Sequence, residues 1–139
     1  MNIALVADDS KKTLMENLCI AYRHILKKHT IYATGTTGRI IEEATGLHIF
    51  KYLEGRLGGA SQLGVQLSHC DIDLVIYLCD PHALDYRYSE PGNMGILQLC
   101  DIHNIPIASN LATAEALLLA LDRGDFSWRE ILRQHTTAN

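Results

Sequence analysis

Five short apolar runs alternate along the chain with longer segments in which apolar residues recur at helical spacing. The apolar runs predict strands, and the run at 74–79 is continuously apolar, as in a strand that is covered on both faces. In the first of the longer segments, Leu14, Leu18 and Ile25 recur on one helical face. The predicted strands are 3–7, 30–33, 48–52, 74–79 and 105–108, and the predicted helices are 11–26, 38–45, 60–68, 94–103, 112–121 and 127–134.

This alternation predicts a three-layer α/β/α fold with a five-stranded, mainly parallel sheet. The 139 residues suffice for one domain with its own core, which we place at 1–135, and residues 136–139 are expected to be a disordered tail. Gly46 and Gly124 follow helical segments and are expected to cap helix C-termini. Ligands of such folds lie beyond the carboxyl ends of the strands, so polar residues that follow strands are the first candidates for a site.

Composition narrows the classes of partner. A net charge of −4 without any Lys/Arg-rich stretch argues against nucleic acid. The chain shows neither a leader peptide nor an apolar run of membrane-spanning length, which predicts a cytoplasmic protein with no membrane partner. The histidines lack metal-ligand spacing, so neither a metal nor another cofactor is expected. The cysteines form no CxxC pair, lie in apolar patterns and predict buried, reduced thiols; they are Cys19, Cys70, Cys79 and Cys100.

The most informative segment is Thr34-Gly35-Thr36-Thr37-Gly38, between a predicted strand and a predicted helix. Helix N-termini bind anions through N–H groups that have no acceptor inside the helix, glycines allow a phosphate to approach the backbone, and hydroxyls donate further hydrogen bonds. The same segment also fits a helix start that Thr36 or Thr37 caps without any ligand. Lys12, in the first turn of the first helix, is by itself more typical of a solvated surface residue.

Further motifs follow this segment in a recognisable order. Together they resemble the methylglyoxal synthase family over nearly the whole chain, with one small insertion between Asp80 and Glu90. The motifs are Ile3–Asp9, Lys12, Tyr32–Gly38, Glu43-Ala44-Thr45-Gly46-Leu47, Leu57-Gly58-Gly59, Asp80-Pro81, Asn104–Asn110 and Ala112-Thr113-Ala114-Glu115.

The resemblance implies β-elimination of phosphate from dihydroxyacetone phosphate, which gives methylglyoxal and inorganic phosphate. It also implies a homohexamer. Asp9 and Asp80 match acidic positions of the family's catalytic site, although Asp9 also fits a helix N-cap and Asp80 a turn before Pro81. The implied phosphate site consists of Lys12, Thr34, Gly35, Thr36, Thr37 and the backbone of Gly55.

Several positions depart from the family pattern, and four of them concern its acid and base groups. Ala60 follows the Gly-Gly pair where the family has its catalytic Asp, and a methyl group cannot accept a proton. The family's two His positions are Asp8 and Ser89, and a further Asp position is Gly92. These losses favour a protein that binds phosphate or a small phosphorylated metabolite and acts as a sensor or regulator without ordinary turnover.

Two alternatives stay open. In the first, the chain is an active methylglyoxal synthase with a relocated carboxylate, for which Glu54, Asp85 and Glu90 are candidates. In the second, the chain is an assembly protein without a ligand, and its Thr/Gly segment serves only the fold. Product formation separates the first alternative from the regulator, and phosphate-dependent stabilisation separates both from the assembly protein.

Overall fold

A computed structural model describes residues 1–53, 58–82, 95–129 and 131. Its strands are β1 (Asn2–Ala7), β2 (Thr30–Thr34), β3 (Ile49–Tyr52), β4 (Leu74–Leu78) and β5 (Ile107–Ala108). They form one sheet in the order β3-β2-β1-β4-β5, and each neighbouring pair is parallel. The predicted five-stranded α/β sheet is confirmed, and within the described residues it is parallel throughout.

Among the described residues, six α-helices connect and flank these strands. They are α1 (Lys12–Ala21), α2 (Arg23–Leu26), α3 (Gly35–Thr45), α4 (Gly59–Ser68), α5 (Ile96–His103) and α6 (Leu111–Asp122), and a 3-10 turn at Asp9–Lys11 precedes α1. The predicted helix 11–26 is interrupted at Tyr22, whose φ of −108° and ψ of 22° lie outside the helical region. A further helical turn follows at 127–129 and 131, and the rest of the predicted helix 127–134 lies outside the described residues, as does the tail 136–139.

Each face of the sheet carries its own apolar core, which gives the three predicted layers. On one face Met15 of α1, Ile41 of α3 and Leu118 of α6 pack against strand residues such as Ile3 and Leu5. On the other face Leu63 and Leu67 of α4 and Leu99 of α5 pack against Ala4 and Val75. No described helix is long and apolar enough to cross a membrane.

The cysteine prediction is correct for two residues and wrong for two. Cys19 and Cys100 are buried, and burial raises the pKa of each thiol to about 12. Cys70 and Cys79 are only half-buried, because Cys70 lies in a turn after α4 with a φ of 57° and Cys79 lies beyond the end of β4. None of these four cysteines forms a disulfide bond.

Two predicted helix ends are confirmed by their backbone conformation. Gly46 has a φ of 74° and ends α3, and its N–H bonds to the carbonyl of Glu42. Gly124 has a φ of 83° and follows Arg123, the C-terminal cap of α6. A positive φ is strained for residues with a Cβ atom, so glycine suits both positions.

Candidate functional site

The segment Thr34–Thr37 joins β2 to α3 at the carboxyl edge of the sheet. Thr34 is extended, with a φ of −62° and a ψ of 151°, and it occupies the N-cap of α3 without a side-chain capping bond to any described residue. The expected cap at Thr36 or Thr37 is therefore wrong, since both residues already lie within the first helical turn. That turn directs its N–H groups, and the positive end of the helix dipole, toward the edge of the sheet where parallel α/β folds bind ligands.

Lys12 connects the end of β1 with this helix start. Its ammonium group donates to the carbonyl of Ala7 at 2.9 Å and to the hydroxyl of Thr37 at 3.2 Å. Its side chain is 20% exposed, so the alternative of a fully solvated lysine is wrong. Two residues of the predicted phosphate site are thus in direct contact, and a cation lies at the N-terminus of α3, where an anion is favoured.

Gly38 allows α3 to lie close to the neighbouring strand. A Cβ atom at this position would lie 3.0 Å from Cγ of Lys51 and 3.2 Å from Cγ2 of Ile49. The N–H of Gly35 lies 3.5 Å from the carbonyl oxygen of Leu53, which follows β3. The first turn of α3 is therefore placed by packing against the β3 side of the sheet as well as by Lys12.

Asp80 lies two residues beyond β4, and three hydrogen bonds hold it. The N–H of His82 donates to Oδ1 at 2.9 Å, and the hydroxyl of Ser10 donates to Oδ2 at 3.0 Å. Its own N–H donates to Oδ2 of Asp8 at 2.6 Å. The bond from His82 makes an Asx turn, so the turn role that the sequence left open is present. The His82 amide and then the Ser10 hydroxyl lower the pKa of Asp80, which keeps this carboxylate ionised.

The two acidic residues after β1 differ in their surroundings. The side chain of Asp9 extends into solvent, with Lys12 at 3.5 Å as its ion-pair partner. The expected N-cap role of Asp9 is wrong, because Asp9 lies inside the 3-10 turn and Asp8 precedes it. Asp8 bonds to the backbone of Asp80 instead of capping that turn. Of the two predicted catalytic acids, the structure therefore holds Asp80 in a defined orientation and leaves Asp9 at the surface.

Several predicted positions lie outside the described residues. Ala60 is the second residue of α4, which begins after Gly58 with a φ of 113°, but its side chain is outside the described part of the chain. The phosphate-site residue Gly55, the alternative bases Glu54, Asp85 and Glu90, and the substituted positions Ser89 and Gly92 are also outside it. Their roles stay predictions.

Sequence reasoning missed the partners of Asp80 and the cavity beside it. The cavity has a volume of about 290 Å³ and opens between the ends of β4 and β5, where Cys79 and Pro81 flank Asp80. Its lining also includes Lys11, Ser109 and Asn110. The pairing of β1 with β4 places residues 8–10 beside 79–80, but sequence alone does not say which donor meets which acceptor. Among the residues that the structure describes, no group of three His, Cys, Asp or Glu side chains could hold a metal ion.

The chain is similar in sequence and in fold to known proteins. The family model described as an MGS-like domain matches residues 16–109. Methylglyoxal synthase from Caldicellulosiruptor saccharolyticus is 55% identical over 139 residues, which cover 100% of this chain and 97% of that protein. The chain belongs to the methylglyoxal synthase family.

Other members of the family give the same result. Methylglyoxal synthase from a Thermoanaerobacter species is 51% identical over 131 residues, 94% of this chain and 98% of that protein. The crystal structure of methylglyoxal synthase from Elizabethkingia anophelis superposes with a TM-score of 0.73 at 37% identity, over 84% of this chain and 76% of that one. The family resemblance and the fold are confirmed. The names of these relatives favour the alternative of an active lyase over the regulator that the substitutions suggested.

Proposed function

We propose that this chain is a lyase that converts dihydroxyacetone phosphate, or a closely similar triose phosphate, into methylglyoxal and inorganic phosphate. One observation carries the proposal: Lys12 contacts Thr37 at the N-terminus of α3, on the sheet edge that also presents Asp80. Support comes from relatives named methylglyoxal synthase that match the chain over its full length.

The phosphate group binds at the start of α3. The Lys12 ammonium supplies the positive charge, the first helical turn supplies backbone N–H donors, and the hydroxyls of Thr34 and Thr37 border the same turn. Asp8 and Asp9 add negative charge at the neighbouring strand end, which opposes a dianion. Lys12 lies 3.5 Å from Asp9 and offsets part of that charge.

The reaction then needs a base and a stable leaving group. A carboxylate removes a proton from the hydroxymethyl carbon beside the carbonyl, and the resulting enediolate expels phosphate by breaking the carbon–oxygen bond on the other side of the carbonyl. The enol product then takes up a proton on its terminal carbon and becomes methylglyoxal. We assign Asp80 as the general base that removes this proton, because its carboxylate is ionised and is held at the same edge of the sheet as the phosphate site. Its lowered pKa makes it a weaker base, so we expect turnover slower than that of an enzyme with the family's Asp.

A second candidate function is binding without turnover. Ala60 favours it, because the resemblance places the family's base at this position. In that case the phosphate site still binds a triose phosphate, and occupancy regulates a partner. For either function we propose a homo-oligomer, a hexamer by resemblance to the family.

A product assay on the purified chain, with a stability measurement beside it, distinguishes these functions. Methylglyoxal formed from dihydroxyacetone phosphate in proportion to protein, and lost in Asp80→Asn, supports the lyase. A melting temperature that rises with dihydroxyacetone phosphate while no product forms supports binding alone. A chain that neither forms product nor responds to the ligand overturns both.

A further inference from the structure

The hydrogen bond between Ser10 and Asp80 indicates a role for Ser10 in the reaction, and this role rests on the proposed function. We propose that Ser10 is a positioning residue, whose hydroxyl fixes the Asp80 carboxylate relative to the phosphate site. Ser10 Oγ lies 3.0 Å from Asp80 Oδ2 and joins residues that are 70 positions apart in the chain.

Residues 7–10 connect Asp80 with the phosphate site through consecutive contacts. The carbonyl of Ala7 accepts from the Lys12 ammonium at 2.9 Å, and Oδ2 of Asp8 accepts from the N–H of Asp80 at 2.6 Å. The N–H of Asp8 donates to the carbonyl of Leu78 at 3.0 Å, which continues the pairing of β1 with β4. The distance between the cation and the carboxylate is therefore set by four residues at one strand end.

Within this segment, only the Ser10 contact reaches the carboxylate itself. Asp8 holds the backbone of Asp80, and His82 holds the other carboxylate oxygen from within the turn that Asp80 begins. The 3-10 turn that carries Ser10 is closed by a 2.8 Å bond from the N–H of Lys11 to the carbonyl of Asp8. Ser10 thus restrains rotation of the Asp80 side chain from a separate, anchored element, and each carboxylate oxygen keeps a lone pair for a proton.

The charged groups around Asp80 give the inference a diagnostic signature. The amide of His82 and then the hydroxyl of Ser10 lower the pKa of Asp80, and the charges of His82 and Lys11 also favour the ionised carboxylate. Asp8 faces the backbone of Asp80 and is the acidic neighbour. Removal of the hydroxyl raises the pKa of Asp80 part of the way to its ordinary value, since the His82 bond remains. The carboxylate then becomes a stronger base but a less well oriented one.

The experiment compares Ser10→Ala and Ser10→Thr with the wild type in the full chain. Ser68→Ala is the matched control, because this exposed serine bonds to the carbonyl of Gly64 at 2.9 Å on α4. We expect Ser10→Ala to lower kcat about tenfold with little change in KM, the lower end for loss of a hydrogen bond to a charged group. The acid limb of its pH profile moves to higher pH. Ser10→Thr restores both properties, and Ser68→Ala behaves as the wild type.

A carboxyl-carbon NMR titration of Asp80 reports on the same bond without requiring turnover. A titration midpoint that moves to higher pH in Ser10→Ala supports the inference, and an unchanged midpoint overturns it. A kcat that rises in Ser10→Ala also overturns it, because the hydroxyl would then restrain basicity without orienting the base. A wild type that forms no methylglyoxal refutes the lyase, and the titration still decides the role of Ser10.

Discussion

Replacement of Lys12 by methionine removes the cation of the proposed phosphate site and keeps an unbranched side chain in its place. In the wild type the ammonium group bonds to the Ala7 carbonyl at 2.9 Å and to the Thr37 hydroxyl at 3.2 Å. Thr37 is buried, at 1% exposure, so its hydroxyl loses a donor that water replaces poorly. We expect Lys12→Met to lower the free energy of unfolding without ligand by about 1–2 kcal/mol.

Lys12→Met should also weaken phosphate binding. A hydrogen bond to a charged group contributes about 1.5–3 kcal/mol, so the dissociation constant for phosphate should rise about 10- to 100-fold. Phosphate at about a hundredfold over the wild-type dissociation constant stabilises the wild type by about 2.7 kcal/mol, and the same concentration stabilises the variant by only about 0.4–1.4 kcal/mol.

The assay is thermal or denaturant unfolding with inorganic phosphate at constant ionic strength. Lys28→Met is the control, because Lys28 forms an exposed ion pair with Asp122 at 3.0 Å. Loss of such a pair costs at most about 1 kcal/mol and should leave the phosphate response intact. Equal phosphate-dependent stabilisation of Lys12→Met and the wild type would refute the assignment of Lys12 to the site.

Three further predictions concern reactivity and stability. Ala60→Asp should change kcat by less than about tenfold in the product assay, because the family's second His position is still Ser89 and the restored carboxylate lacks that partner. A gain of roughly 10²–10⁴, typical of a new general base, would show that position 60 controls the rate. Gly38→Ala should lower the free energy of unfolding by about 1 kcal/mol in denaturant titrations, because its Cβ would lie 3.0 Å from a neighbouring side chain. In Gly64→Ala the added Cβ would make an ordinary 3.4 Å contact, so the free energy of unfolding should rise by up to about 1 kcal/mol. If both variants changed the free energy of unfolding in the same direction, this packing argument would be wrong. Burial and then the N-terminal charge of Met1 lower the pKa of His29 below 6.5, so the folded protein favours the neutral imidazole. The contribution of neutral His29 to the free energy of unfolding is therefore complete above pH 6.5 and is lost as the pH falls through the folded-state pKa. Between about pH 8 and about pH 5, the free energy of unfolding should fall less in His29→Gln than in the wild type.

Most of the fold follows from the sequence because its hydrophobic pattern is consistent from strand to strand. The errors lie where local chemistry is ambiguous. The sequence predicts the start of α3 at 38, whereas the helix begins at Gly35. Glycine and threonine are weak helix formers and suggest a turn even where they form the first helical turn. The break at Tyr22 has neither glycine nor proline to signal it. Strand β5 begins at Ile107 and not at 105, because Pro106 has no N–H to donate to a strand neighbour.

The sequence predicts which strand ends carry the candidate site, but it does not predict the contacts between the side chains there. The rule that parallel strands end at one edge brings Thr37 and Asp80 to the same region, and the resemblance adds Lys12. The contacts of Asp80 with Ser10 and Asp8 depend on the register between β1 and β4 and on the shape of the turn after β1. Both are set by packing of the whole sheet, which no local pattern encodes.

The most direct test of the lyase is the stoichiometry of its products. Dihydroxyacetone phosphate is incubated with the purified chain, and methylglyoxal and inorganic phosphate are followed together by proton and phosphorus NMR. The account predicts that both appear in equal amounts, at a rate proportional to the protein and strongly reduced in Asp80→Asn. The lyase assignment is contradicted if dihydroxyacetone phosphate decays no faster with the protein than without it. A rate in Asp80→Asn equal to that of the wild type would contradict the role of Asp80.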